Sequence, residues 1–194
     1  MGKLKYLVIH CSATPATMTV TKGMLEEWHK GPCDQSDGGV RYLEKNYKSR
    51  ADLPEDIINS KPILHLKGRG WARLGYSILI HRNGMKEILT PFDGDNDIEN
   101  DEITWGATGV NSISRHICLE GGGSNSKIEQ FSTLYTEAQK ITLIRTIKEE
   151  IEKCPTLLIA GHNDFANKTC PNFDVHKFLL NNILEKNNYE PKKP

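Results

Sequence analysis

The strongest constraint on this chain is an alternation. Short apolar runs rich in β-branched residues stop at small or polar residues, and between them lie stretches whose apolar positions recur at helical spacing. Runs of this kind bounded by turn formers read as strands, and they fall at residues 4–9, 76–81, 113–120 and 156–160. After the second run, Arg82-Asn-Gly84 leads into residues 86–89, which is the form strand, Asn-Gly turn, strand. Helical spacing appears at residues 21–30, where Met24, Leu25 and Trp28 recur and Gly31-Pro32 closes the segment. It appears again at 136–154, where Thr136-Glu-Ala-Gln139 is a capping box and Ile141, Ile144, Ile147 and Ile151 are expected to share one inward face. Residues 174–184 are expected to form a closing helix with Val175, Phe178, Leu179 and Ile183 inward. The pattern predicts an α/β fold: a single domain with a central mixed β-sheet flanked by helices, mixed because the hairpin is antiparallel.

Residues 31–68 interrupt this order. Gly, Pro, Asp and Ser punctuate them around one further helical stretch at 40–47, and the segment is too long for an ordinary connection, so it reads as an insertion. The domain is expected to span 1–186, with a polar tail at 187–194. Acidic residues cluster at 93–102 and are expected to form a solvated loop. With 25 Lys and Arg against 25 Asp and Glu in 194 residues, the chain has no formal net charge, which argues against a nucleic-acid partner. Five cysteines, Cys11, Cys33, Cys118, Cys154 and Cys170, are odd in number and follow no repeating spacing, so no disulfide framework is expected. No apolar run approaches the ~20 residues of a membrane span, and residues 6–9 fall short of the ~7–15 of a signal-peptide core. The expectation is a monomer made in the reducing cytoplasm, without membrane insertion, that reaches any outside target only through a separate release system.

On such a sheet, groups that do chemistry concentrate where strands end. His10 closes the first apolar run and His162 follows the last, so both imidazoles face one region if those strands are neighbours. Cys170 comes eight residues after His162 in an irregular stretch. Two imidazoles and a thiolate make a zinc ligand set, and catalytic zinc takes three protein ligands and keeps a fourth position open. Seven histidines and five cysteines allow many other triples, so spacing alone does not single out this one. Lys168, two residues before Cys170, is an odd neighbour for a cation unless its ammonium stabilises an anion developing on a substrate.

Six blocks in order, Val8-Ile-His-Cys-Ser-Ala-Thr-Pro15, Trp28-His-Lys30, Arg69-Gly-Trp71 with Leu74-Gly-Tyr76, Ile117-Cys-Leu-Glu-Gly-Gly122, Tyr135-Thr-Glu-Ala-Gln139, and Gly161-His162 through Lys168-Thr-Cys-Pro171, carry a family resemblance. They resemble the zinc N-acetylmuramoyl-L-alanine amidases, which include the small phage amidases called lysozymes and the peptidoglycan recognition proteins. The resemblance covers nearly the whole chain apart from residues 31–68 and the tail after about 186. It implies that His10, His162 and Cys170 bind zinc, and that Tyr76 and Lys168 are catalytic helpers. It also implies a peptidoglycan or muropeptide substrate, cut at the amide joining the lactyl group of N-acetylmuramic acid to L-alanine. Two departures fall near the implied site. Family members often carry a histidine directly after the tyrosine, where this chain has Ser77, and another in the loop that here reads Trp105-Gly-Ala-Thr-Gly-Val-Asn111. A related branch uses a glutamate at the position of Cys118, and since Cys118 cannot be that base, the weight falls on Tyr76.

Read without the resemblance, Tyr76 is a strand residue filling the core and Lys168 a surface lysine. Glu120 is expected to be solvated, His29 to pack or hydrogen-bond on the early helix, and Cys11 to point away from His10 into the core. His65, His81, His116 and His176 are expected to do no chemistry. Three other functions compete with a phage or prophage wall-lysing amidase. A non-catalytic peptidoglycan-binding module is marked by loss of the cysteine ligand, which Cys170 opposes. A cytoplasmic muropeptide-recycling amidase fits the same residues. A thiol redox protein using Cys11 and Cys170 would be expected to show Cys-x-x-Cys, and the chain has none.

Overall fold

The structure is a computed structural model and describes residues 2–31, 68–123 and 127–183. The chain groups into two compact units, one of Met1–Val20 with Gly75–Pro194 and one of Thr21–Leu74. In chain order the elements are β1 (Gly2–Lys3), β2 (Tyr6–Cys11), α1 (Lys22–Lys30), β3 (Ile78–Ile80), β4 (Lys86–Ile88), β5 (Asp97–Ile98), β6 (Ser114–Leu119), α2 (Phe131–Leu134), α3 (Glu137–Lys153), β7 (Leu158–Gly161) and α4 (Val175–Asn182). The helical stretch expected at 40–47, Cys33, His65 and the polar tail lie outside the described residues.

The first unit holds the main sheet, in the order β4-β3-β6-β2-β7, with β3, β6, β2 and β7 parallel and β4 antiparallel at one edge. This is the mixed sheet that the alternation predicts. The central strand β2 is buried along its whole length, as its unbroken apolar run requires. It runs past the expected end at residue 9, because its ladder with β6 continues through His10 opposite Cys118 and Cys11 opposite Leu119. His10 is therefore held inside a strand rather than at its exit. Part of the acidic stretch also differs from the expected solvated loop, since Asp97 and Ile98 form β5 and pair antiparallel with Lys3 and Gly2.

Alternation along the strands separates two faces. Leu7, Ile9 and Cys11 of β2 join Ile78, Ile80, Ile117, Leu119 and Ile159 against Leu143 and Ile147 of α3 and Val175, Phe178 and Leu179 of α4. The inward set of α4 is the one expected, with Asp174 accepting the Lys177 N–H as its cap. The inward face of α3 is rotated from expectation: Leu143 and Ile147 are fully buried, but Ile141 is 59% exposed. Two residues are about 200° of helix, so Ile141 points away from Leu143, whereas steps of three and four reach Gln139, Thr146, Ile147 and Glu150. Polar members of this stripe are used. Gln139 donates to the carbonyls of Ile80 and Glu120, and Glu150 pairs with buried Arg115 at 2.6 Å.

In the second unit, the Thr21 hydroxyl caps α1 by accepting the Met24 N–H. His29 on α1 stacks on Trp71 with ring centroids 5.1 Å apart, and the Trp71 N–H donates to the His29 carbonyl at 2.8 Å. Among the described residues no helix is long and apolar enough to cross a membrane.

Candidate metal centre

The parallel register of β2 and β7 sets Ile9 opposite Gly161. The next residues, His10 and His162, are therefore neighbours, with ring centroids 4.7 Å apart. After Gly161 the chain turns through a 3-10 segment, His162–Asp164, and an irregular loop leads to Cys170. Asp164 fixes the start of that loop by accepting the Gly161 N–H at 2.8 Å and meeting His176 Nε2 at 3.1 Å. Its end is closed by the Asn163 N–H donating to the Cys170 carbonyl at 2.8 Å. Just beyond, the Tyr135 hydroxyl donates to the Pro171 carbonyl at 2.7 Å and Asn172 Nδ2 donates to the Gly122 carbonyl at 2.9 Å. Phe173 then packs edge-on against Phe131 and Tyr135. A loop pinned in this way carries a side chain nearly as rigidly as a strand does.

The result is convergence. One ligand atom from each of His10, His162 and Cys170 lies within 4.8 Å of the others, and Cys170 Sγ is 3.9 Å from His10 Nδ1. A tetrahedral ion with ordinary zinc bond lengths separates nitrogen from sulfur by about 3.6 Å, so the His10–Cys170 pair needs to close by only a few tenths of an ångström. Two imidazoles with a thiolate suit zinc, and the residues present fit the implied ion.

The surroundings are set by burial. His10 is 1% exposed, and its Nε2 lies 2.9 Å from Nδ1 of fully buried His116 on β6. Burial, with His162 close by, pulls His116 down to about 3. The Cys11 backbone N–H donates to Cys170 Sγ at 3.3 Å. Its hydrogen bond with the Cys11 thiol, together with burial, pushes the Cys170 thiol well up. A divalent cation reverses that sign, because a coordinating thiol is deprotonated outright. Burial pushes the Cys118 thiol well up, while a hydrogen bond from Tyr76 opposes this. The Tyr76 ring is 5.2 Å from that of His10.

Of the expected site residues, His10, His162, Cys170 and Tyr76 thus come together. Lys168 is exposed on the loop that carries Cys170, with its N–H donating to the Ala166 carbonyl at 2.7 Å. Cys11 faces the core as expected, although its backbone and thiol both reach Cys170. Glu120 is a correction. It is buried rather than solvated, accepting the N–H groups of Val20 and Arg82, with His81 Nδ1 at 3.5 Å, and so ties three chain segments together. His116 is the residue that sequence reasoning passed over. Its signal lies in the register: Val8 opposite His116 and His10 opposite Cys118 put all four side chains on one face. Ser77, one of the two departures from the family pattern, donates its N–H to the His116 carbonyl at 2.9 Å.

No family model matches the chain. It is 25% identical over 178 residues to the endolysin of Klebsiella phage KP32, an alignment covering 92% of this chain and 87% of that protein. Among solved structures, the N-acetylmuramoyl-L-alanine amidase LysC from Clostridium intestinale URNW matches with a TM-score of 0.54 at 16% identity, covering 93% of this chain and 85% of that one. Bumblebee PGRP-SA matches with a TM-score of 0.53 at 14% identity, covering 100% and 87%. The ordered blocks and the sheet agree with these matches: in sequence the chain is similar to phage endolysins, and in architecture it has the fold found in N-acetylmuramoyl-L-alanine amidases and peptidoglycan recognition proteins.

Proposed function

We propose that this chain is a peptidoglycan hydrolase of the endolysin type. In this reading it is a zinc-dependent amidase that cuts the bond between N-acetylmuramic acid and L-alanine once a separate system has released it to the wall. The observation that carries this reading is the meeting of His10, His162 and Cys170 within 4.8 Å. Cys170 also favours the enzyme over a wall-binding module, since the third donor is present.

Amides resist water because resonance blunts the carbonyl and the amine leaves poorly. Bound zinc supplies Lewis acidity to the carbonyl and makes a hydrolytic nucleophile available at neutral pH. His10 and His162 offer neutral nitrogens and Cys170 one thiolate, a donor set whose single negative charge leaves a divalent ion part of its Lewis acidity. Tyr76, with its ring 5.2 Å from His10, orients the attacking water and relays its proton. A phenol is a poor free base but an adequate relay between a water and its neighbours. Lys168 stabilises the oxyanion of the tetrahedral intermediate, a contribution of ~3 kcal/mol for one good donor.

Metal analysis and mass spectrometry of digested peptidoglycan test the reading together. The expected result is about one zinc per chain, the single site of a three-ligand centre, with new L-alanine amino termini in the digest and loss of activity on chelation. Lys168→Ala and Tyr76→Phe are expected to keep the metal and lose most turnover, on the order of 10²–10³ for the lysine. New reducing sugar ends without new amines reject the amidase, and full turnover in Lys168→Ala removes that residue from the reaction.

A further inference from the structure

His116 is a fully buried polar side chain that the proposed reaction does not use. It stands on β6, beside β2, and its Nδ1 is 2.9 Å from His10 Nε2. Cys170 Sγ lies on the other side of the His10 ring, 3.9 Å from Nδ1. The two nitrogens of His10 therefore face different neighbours, and Nδ1 is the one turned toward Cys170. A nitrogen that ligates a metal carries no proton, so the proton of neutral His10 must sit on Nε2, where His116 Nδ1 is placed to accept it.

Accepting there puts the proton of His116 on its own Nε2, an atom with no hydrogen-bond partner among the described residues. Burying an unmatched N–H is costly, and a core position next to Ile117 would be served more simply by an apolar residue. Room for the ring also depends on a neighbour. A Cβ at residue 106 would lie 2.5 Å from His116 Nδ1 and 2.6 Å from the Gly75 carbonyl, and Gly106 has none.

We infer that His116 is a positioning residue. Its Nδ1 holds His10 in the Nε2–H tautomer and fixes the ring so that the Nδ1 lone pair is aimed at the ion. The inference rests on the zinc reading of His10, His162 and Cys170, and deepens it. Outer partners of this kind typically account for 10–100-fold in metal affinity.

The test compares His116→Leu, which fills the space without an acceptor, with His116→Asn, whose side-chain oxygen can take the place of Nδ1. Zinc affinity is read by competition with a chromogenic chelator, folding by circular dichroism of the metal-free proteins, and the His10 tautomer by nitrogen NMR of the metal-free wild type, where no ion dictates it. The expected result is a 10–100-fold loss of affinity in a folded His116→Leu, near wild-type affinity in His116→Asn, and a proton on His10 Nε2. Wild-type affinity in His116→Leu, equal losses in both variants, or a His10 proton on Nδ1 each overturn the inference while leaving the zinc site standing. A wild type that takes up no zinc overturns the underlying reading instead. Should His116→Leu fail to fold, the tautomer in the wild type decides.

Discussion

His29 shows how one side chain can set a pH dependence. Burial pulls its pKa down to about 4, the nearby Arg69 guanidinium adds to the effect, and the ring stacks on Trp71. In the unfolded chain it titrates near 6.5, so between about 6.5 and 4 the unfolded state binds the extra proton. Stability from this group is complete above pH 6.5 and is lost as pH falls toward 4, at about 1.4 kcal/mol per unit and up to about 3 kcal/mol in all. Urea denaturation of the wild type and of His29→Phe, which keeps an aromatic ring against Trp71, is expected to show a steeper acid slope in the wild type by about one proton. Parallel slopes would mean that His29 does not titrate with unfolding. The packing role of His29 was legible because Trp28-His29 sits at the end of a periodic helix. Glu120 and His116 were not, because each is defined by partners from distant segments: Val20 and Arg82 for the one, His10 for the other.

Elements were read well where the local signal and the tertiary contact agree. Asp174 and the spacing of Val175, Phe178, Leu179 and Ile183 marked α4, and the same residues face the core. Thr136 and Gln139 marked the start of α3, where the Thr136 hydroxyl caps the helix and also donates to the Arg82 carbonyl. The face of α3 was misjudged because its buried stripe carries Gln139, Thr142, Thr146 and Glu150, whose hydrogen bonds or burial no apolar count registers. β5 was missed for a similar reason: an acidic stretch reads as loop until Lys3 is found 2.8 Å from Asp97 across the ladder. The rotated face of α3 has a measurable consequence. Ile147→Ala, removing a fully buried side chain, is expected to cost about 2–5 kcal/mol. Ile141→Ala, at a position 59% exposed, is expected to stay within about 0.5 kcal/mol. Chemical denaturation of the two variants decides the matter, and equal losses would put both isoleucines on one inward face.

At the scale of the whole molecule, the site depends on bringing together groups 160 positions apart, His10 and Cys170. Strand order does this: β2 lies next to β7, and the loop after β7 is tied back to the Gly122 and Tyr135 segments. The ordered blocks marked His10, His162 and Cys170 as candidate donors in the sequence, but their separation depends on register, which no spacing along the chain encodes. Because the three donors are a set only in the folded state, a metal bound there stabilises folding by mass action. At free zinc a hundred times the dissociation constant this amounts to about 2.7 kcal/mol, or roughly 5–10 °C in Tm for a chain of this size. Thermal denaturation of the metal-free protein with added zinc is therefore expected to show that rise, and chelation to remove it. Cys170→Ala takes away the sulfur donor, and with it the acceptor of the Cys11 N–H on β2, so its metal-free Tm is its own reference and its Tm is expected to be nearly indifferent to zinc, whereas Ile141→Ala keeps the full response. An equal rise in Cys170→Ala would place the stabilising ion elsewhere, and no rise in the wild type would mean that the trio is a packed cluster rather than a metal site.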